Sequence, residues 1–159
     1  MIDQQGLSIL ELMVVIGVLV VMLGLAMPEF QQVWQAYKVR QITAKTVKLL
    51  NYTRALAVAK GYKVTLCTSK DLINCHSGPT PTNGIIIYHQ LENGKVYYHK
   101  RERLTINNEL VWKGFGQVKA IDFTPMGSVL QNGTIIYHPT DNDSEIKIII
   151  SRTGRVRVA

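Results

Sequence analysis

No lysine or arginine precedes Pro28 in this 159-residue sequence. Their absence removes the basic flank from which a membrane segment's orientation is normally read. Cysteine is limited to Cys67 and Cys75, and the four histidines, His76, His89, His99 and His138, are scattered. None falls into an HExxH or related spacing, so zinc-hydrolase chemistry has no foothold. Ser8 stands inside an apolar run and no G-x-S-x-G elbow surrounds it. Gly114 and Gly116 in "KGFGQV" lack the remaining residues of a phosphate-binding loop. Internal repeats and low-complexity tracts are also missing. These absences leave no enzyme activity, cofactor or metal to expect.

What the sequence does contain begins with "GLSILELMVVIGVLVV", Gly6 to Val21. From Leu7 to Met27 only Ser8 and Glu11 are strongly polar. As a helix this run would rise about 30 Å, the hydrocarbon thickness of a bilayer. An ionised acid at the bilayer centre costs on the order of 2.5–3.5 kcal/mol. Glu11 lies near one end of the run, where the cost is smaller, yet it still calls for a partner.

The residues on either side suggest one. Six residues, "MIDQQG", come before the run and end in Gly6, and Glu11 is the fifth residue after that glycine. This pattern resembles the class III signal of type IV prepilins and type II secretion pseudopilins. Ordinary secretory signals are cut after the apolar run, not before it. The resemblance implies cleavage by a prepilin peptidase between Gly6 and Leu7, and N-methylation of Leu7. It implies that Glu11 serves assembly, its carboxylate meeting the free amine of a neighbouring subunit, where an opposite charge offsets desolvation. It also places the globular part outside the cytoplasm, anchored in the inner membrane until it enters a pilus. Two departures stand out: Leu7 occupies a position that is more often Phe, and the leader carries Asp3 but no base.

Pro28 should kink or weaken the helix. Beyond it, Val39, Ile42, Leu49, Leu50, Leu56 and Ala57 fall near one helical stripe. Lys38, Arg40, Lys45, Lys48, Arg54 and Lys60 lie mostly elsewhere and read as a solvated face, and Gly61 reads as a helix stop. After Gly61 the texture changes to short alternating segments. "YKVTLCT" is followed by the turn-rich "SGPTPTNG". "IIIYHQ" and "KVYYHKR" flank the hairpin signal "LENG". "RLTINN", "ELVWK", "VKAIDFT", "MGSVLQNGTIIYH" with a second Asn-Gly turn, "EIKIIIS" and "RVRVA" complete seven or eight strands. The fold class is α+β: a long N-terminal helix and an antiparallel β-sandwich or pair of packed sheets. The expected organisation is a leader over 1–6, a transmembrane and assembly helix over 7–27, an amphipathic continuation over 28–61 and a β-rich domain over 62–159. A pilin fold is what the resemblance implies.

Cys67 and Cys75 lie close together in "LCTSKDLINCHSG". If the anchor places this segment outside the cytoplasm, a local disulfide follows. Closing so short a loop contributes roughly 2–3 kcal/mol. A metal site recruiting His76 is the other reading, with poor ligand spacing.

Charge raises the last question. All eighteen Lys and Arg follow Pro28, while two of the eleven acids, Asp3 and Glu11, precede it; the remainder balances at +9. Such a surface suits an anionic partner. In "ISRTGRVRVA" Arg152, Arg155 and Arg157 cluster, with Lys147 just before and no acid after it. Arg155 and Arg157 are two apart, so an extended chain points both to one face. The same alternation lets Val156 and Val158 turn inward on an ordinary last strand. Lys100, Arg101 and Arg103 in "HKRERL" form a second cluster. Prepilin anchor, paired cysteines and a terminal G-R-x-R together resemble the FimT/GspH group of minor pilins. FimT-like members are associated with DNA uptake in natural transformation and GspH-like members with protein secretion. On the first reading the motif maps to Gly154–Arg157, and Arg152, Arg155 and Arg157, with Lys147, Lys100, Arg101 and Arg103 as further candidates, bind double-stranded DNA through its phosphates. The alternatives are a type II secretion pseudopilin and a purely structural tip or initiation subunit that contacts other pilins.

Overall fold

The structure, a computed structural model, describes residues 9–75, 84–104, 110–113, 120–137 and 145–159, without the side chains of residues 25–32, 35 and 110–113. Gly6, Leu7, His76, His138, Gly114, Gly116, residues 77–83 of "SGPTPTNG" and residues 105–108 of "RLTINN" lie outside the described residues. The chain divides into two units, Met1–Arg40 and Gln41–Ala159. One helix, α1, runs over Ile9–Lys60. It is continuous through Pro28: the missing N–H removes one rung of the ladder without ending the helix.

In the first unit the large apolar side chains from Ile9 to Leu23 are 50–81% exposed. Among the described residues no helix is long and apolar enough to cross a membrane. The run Leu7–Met27 extends past the described side chains at both ends.

In the second unit α1 buries one stripe made of Thr43, Thr46, Leu49, Leu50, Thr53 and Ala57. The sequence pattern gives Leu49, Leu50 and Ala57 correctly and misses the threonines. Thr46 and Thr53 are fully buried because each hydroxyl donates back to the carbonyl one turn earlier, Ile42 at 2.9 Å and Leu49 at 2.7 Å. That bond satisfies the polar atom inside a helix and leaves the methyl to pack. Two of the six helical bases depart from the solvated face expected of them. Lys45 pairs with Glu102 at 2.7 Å and donates to the Arg103 carbonyl. Arg54 donates through Nε to the Gly127 carbonyl at 2.9 Å. Gly61 stops the helix with φ of 70°, its N–H bonded to the Ala57 carbonyl.

Eight strands follow: β1 Val64–Ser69, β2 Gly84–Gln90, β3 Val96–Arg103, β4 Leu110–Lys113, β5 Ala120–Phe123, β6 Gly133–Tyr137, β7 Ile146–Ile150 and β8 Val156–Val158. They form two four-stranded sheets in the orders β3-β2-β1-β5 and β4-β6-β7-β8. All pairings are antiparallel. The "LENG" segment closes the β2–β3 hairpin, with the Gly94 N–H on the Leu91 carbonyl at 2.9 Å. The second Asn-Gly pair opens β6, with Gly133 as its first residue, and lies between strands of different sheets, because β5 pairs with β1 and β6 with β4 and β7. Leu66, Ile85, Ile87, Ile121 and Phe123 of the first sheet and Ile135, Ile148 and Ile150 of the second are all buried with the helical stripe.

Register separates the two faces of the first sheet. Leu66 lies opposite Ile87, and Cys67 opposite Ile86. The face carrying Leu66, Ile85 and Ile87 is the helix side, since Glu102, opposite Ile85, meets Lys45 of α1. The other face carries Cys67, Ile86 and Tyr88. There the Cys67–Cys75 disulfide, with Cα atoms 5.6 Å apart, closes a loop. Both thiols are consumed, which removes the metal alternative. Asp71 organises that loop by accepting from the Asn74 and Ile73 N–H groups and the Ser69 hydroxyl. These three donors, the two amides foremost, hold its carboxyl well below the usual carboxylate range.

Candidate nucleic-acid interface

The basic segment near the C-terminus is a hairpin. Ile149 lies opposite Arg157 and Ile150 opposite Val156. Ser151 continues the ladder, its N–H bonded to the Arg155 carbonyl at 3.0 Å. Ile148 and Ile150 are buried, so the residues opposite them, Val158 and Val156, share the inner face. Arg155 and Arg157 therefore stand on the outer face, about 7 Å apart along the strand. The register puts the valines on the inner side, where Val156 is half-buried and Val158, at the strand end, is still 54% exposed, and the arginines on the outer side. Arg152, Arg155 and Arg157 are all exposed. Among the described residues none of the three pairs with a carboxylate.

Gly154 fixes the shape of this hairpin. Its φ is 75°, and its N–H returns to the Ser151 carbonyl at 2.8 Å. It is buried against a second turn, Thr124–Gly127, whose Gly127 also has a positive φ, 74°. A Cβ on Gly154 would sit inside the van der Waals envelope of the Gly127 carbonyl oxygen. That same oxygen accepts the Arg54 Nε–H from α1. Val129 donates to the Arg152 carbonyl at 2.9 Å. The arginine hairpin is thus docked on a neighbouring turn, and that turn is tied to the helix. The glycine of G-R-x-R holds the backbone, and the arginines are left free to contact a ligand.

The other sequence-predicted bases separate from this group. Lys147 shares the outer face with Arg157 but lies 3.3 Å from Glu145, an acid just ahead of the acid-free tail. Lys100, Arg101 and Arg103 lie on β3, the far edge of the first sheet. The opposite edge, β5, reaches the arginine hairpin through the Phe123–Val129 bridge. Three strand spacings, about 14 Å, lie between β5 and β3. The β3 cluster is itself divided. A register shift leaves His99 as an extra residue between Tyr98, opposite Tyr88, and Lys100, opposite Ile87. Lys100 turns to the helix side, 3.5 Å from Glu102 and over the Tyr52 ring. Arg101, opposite Ile86, turns to the disulfide side.

One cluster escaped sequence reasoning. His89 Nδ1 and His99 Nε2 are 2.9 Å apart, and the Tyr62 hydroxyl lies 3.3 Å from His99 Nε2. With ring centroids 4.9 Å apart, the imidazoles meet nitrogen to nitrogen, as in an N–H···N hydrogen bond. The hairpin register already places His89 opposite Tyr97, so the signal was available; the bulge that brings in His99 was not. Burial, then the neighbouring His89, then Lys60 lower the His99 pKa. Among the described residues no group of three or more His, Cys, Asp and Glu could hold a metal.

This assembly of helix and two antiparallel sheets is the pilin fold. It superimposes on the type IV minor pilin FimU of Pseudomonas aeruginosa in two crystal structures. The TM-scores are 0.57 and 0.58, with 18% and 19% identity, covering 76% of this chain and 91% and 87% of those chains. It also matches the minor pseudopilin EpsH from the type 2 secretion system of Vibrio cholerae, with a TM-score of 0.53 and 11% identity, over 75% of this chain and 94% of that one. The molecule is a pilin-fold subunit of the minor pilin and pseudopilin class. The profile of the family described as Type II transport protein GspH matches residues 43–154, and the chain belongs to that family. No curated protein matches it in sequence.

Proposed function

We propose that this chain is a minor type IV pilin that binds double-stranded DNA through the phosphates, without sequence preference, during DNA uptake in natural transformation. The observation that carries the reading is the geometry of the arginine hairpin. Arg155 and Arg157 share one exposed face, Arg152 stands at the turn, and no carboxylate among the described residues neutralises them. Guanidinium groups bind phosphate in a bidentate fork. The hairpin inserts no helix, so its contacts position the duplex and do not read base edges. Lys100 and Lys147, each beside a glutamate, contribute less.

The rest of the reading follows the sequence. A prepilin peptidase cuts between Gly6 and Leu7, and the run Leu7–Met27 holds the subunit in the inner membrane with its globular part in the periplasm. The disulfide suits that oxidising compartment. On assembly the exposed apolar side chains of Ile9–Leu23 and the carboxylate of Glu11 pack against other pilins. A second reading, a pseudopilin of protein secretion, is favoured by the description of the family itself.

Gel shift of a labelled duplex by the full chain in detergent micelles tests the proposal across a salt series. Affinity around micromolar is expected, with a slope of log K against log salt of about −0.9 for each phosphate neutralised. Arg155→Gln with Arg157→Gln should remove most binding and flatten that slope while leaving the melting temperature unchanged. Unchanged affinity in this double variant favours the secretion or structural reading.

A further inference from the structure

The disulfide side of the first sheet carries a second, chemically different surface. A cleft of about 180 Å³ opens between the disulfide loop and the β2–β3 ladder, lined by Ile73, Asn74, Cys75, Tyr88, Val96 and Tyr98. The Tyr98 hydroxyl donates to the Ile73 carbonyl at 3.3 Å, joining strand to loop. In a regular strand, residues three apart point to opposite faces. The His99 bulge breaks that alternation and brings Arg101 onto the face of Tyr98. The Arg101 guanidinium then sits over the Tyr98 ring, 4.1 Å from its centroid. Arg103, two residues further on, shares this face.

We propose that this cleft binds an unpaired nucleobase, with Arg101 and Arg103 taking the adjoining phosphates of a single-stranded DNA segment. The proposal rests on the DNA reading above. The lining is mainly apolar and aromatic, which suits a ring. The rim is cationic, which suits a phosphate. A volume of this size holds one ring and no more. Bases stacked in a duplex cannot enter, so the site is selective for a single strand. The acids nearby are each engaged elsewhere: Asp122, on the face of Tyr88, accepts from the Thr65 hydroxyl at 2.6 Å and lies 3.6 Å from Lys63. Asp71 turns its carboxylate onto the donors of its own loop, and Glu102 lies on the helix side between Lys45 and Lys100. Tyr98 is 39% exposed, and a base can stack on either the Tyr98 ring or the plane of Arg101.

Fluorescence anisotropy with a labelled 12-nucleotide oligo-dT, beside a labelled hairpin duplex, tests this on the full chain in detergent. Tyr98→Ala with Arg101→Gln should weaken oligo-dT binding about tenfold and leave duplex affinity within about twofold. Tyr98→Phe keeps the ring and should keep oligo-dT affinity. Tyr98→Leu keeps apolar volume and should lose it, which separates stacking from folding. An abasic oligomer of equal charge should bind wild type more weakly than oligo-dT does, but more tightly than oligo-dT binds the double variant, which also lacks the Arg101 phosphate contact. Equal binding of abasic and oligo-dT probes overturns the proposal, as does an equal loss of duplex and oligo-dT binding in the double variant. If oligo-dT binding is untouched while the variant fails to enter pili, the cleft takes a neighbouring pilin and the proposal falls. Intact duplex binding in Arg155→Gln with Arg157→Gln sinks the hairpin assignment but not this one.

Discussion

Gly154 shows how one residue of the G-R-x-R segment serves the backbone. Two independent facts bar any side chain there: a φ of 75° and the Gly127 carbonyl where a Cβ would lie. Gly94 shares the first restriction but not the second, with φ of 79° and open space around it. The left-handed region alone costs a residue with a side chain about 1–2 kcal/mol. Gly94→Ala should therefore lower stability by about that amount in urea unfolding. Gly154→Ala should cost clearly more, because the Thr124–Gly127 turn and its Arg54 bond must also shift, and it should weaken duplex binding without removing an arginine. Equal costs for the two variants would contradict the packing argument. The sequence showed that residue 154 is glycine beside two arginines. It could not show the carbonyl that makes glycine necessary, because Gly127 and Arg54 approach only through the fold.

At the scale of elements, local patterns were legible where chemistry repeats at short range. The β2–β3 hairpin announced itself through "LENG", and β7 and β8 through the apolar alternation of "EIKIIIS" and "RVRVA". Thr46 and Thr53 were missed because a hydroxyl looks polar in a sequence, yet its polarity is satisfied once it bonds to its own helix. The His99 bulge was illegible for a different reason: one extra residue changes the facing of everything after it, and no composition signals it. That bulge also sets a pH dependence. In the nitrogen-to-nitrogen contact one imidazole donates and the other accepts, so two charged rings cannot keep it. The His99 pKa is lowered in the fold, so the unfolded chain takes up its proton first as pH falls. Stability from this group is thus present above the unfolded value of about 6.5 and is lost as pH falls through the folded value. Urea unfolding should show a decline from pH 7.5 to pH 5 that His99→Gln flattens. Asp71 and Glu102 have lowered carboxylate values and act in the acid range below, so they do not mimic it. A wild-type decline that His99→Gln leaves unchanged would assign the effect elsewhere.

For the whole molecule, the two proposed binding surfaces and the apolar first half of the helix would serve different tasks along one chain. Mass spectrometry of the native protein should find N-methylated Leu7 as its first residue, and Glu11→Ala should leave that cleavage intact while depleting the subunit from sheared pili. An intact Met1 in cells containing prepilin peptidase would refute the processing reading. The α+β class, helix first and sheets after, was readable because helical and strand periodicities occupy separate stretches. The separation of the two basic clusters was not, since it depends on β5 crossing to pair with β1 while β4 joins β6. The edge position of β8 has a mechanical meaning. Three residue pairs, Ile148 with Val158, Ile149 with Arg157 and Ile150 with Val156, hold it to β7, extended at the two ends by backbone bonds of Lys147 with Ala159 and of Ser151 with Arg155. Tension on a ligand gripped by Arg155 and Arg157 and directed along the strand loads these pairs together, and they share the force. Tension directed outward loads them one after another, and the strand unzips at a far smaller pull. On the proposed DNA reading, the direction in which a filament draws on its cargo, more than the strength of the grip, then sets how much force one subunit can carry.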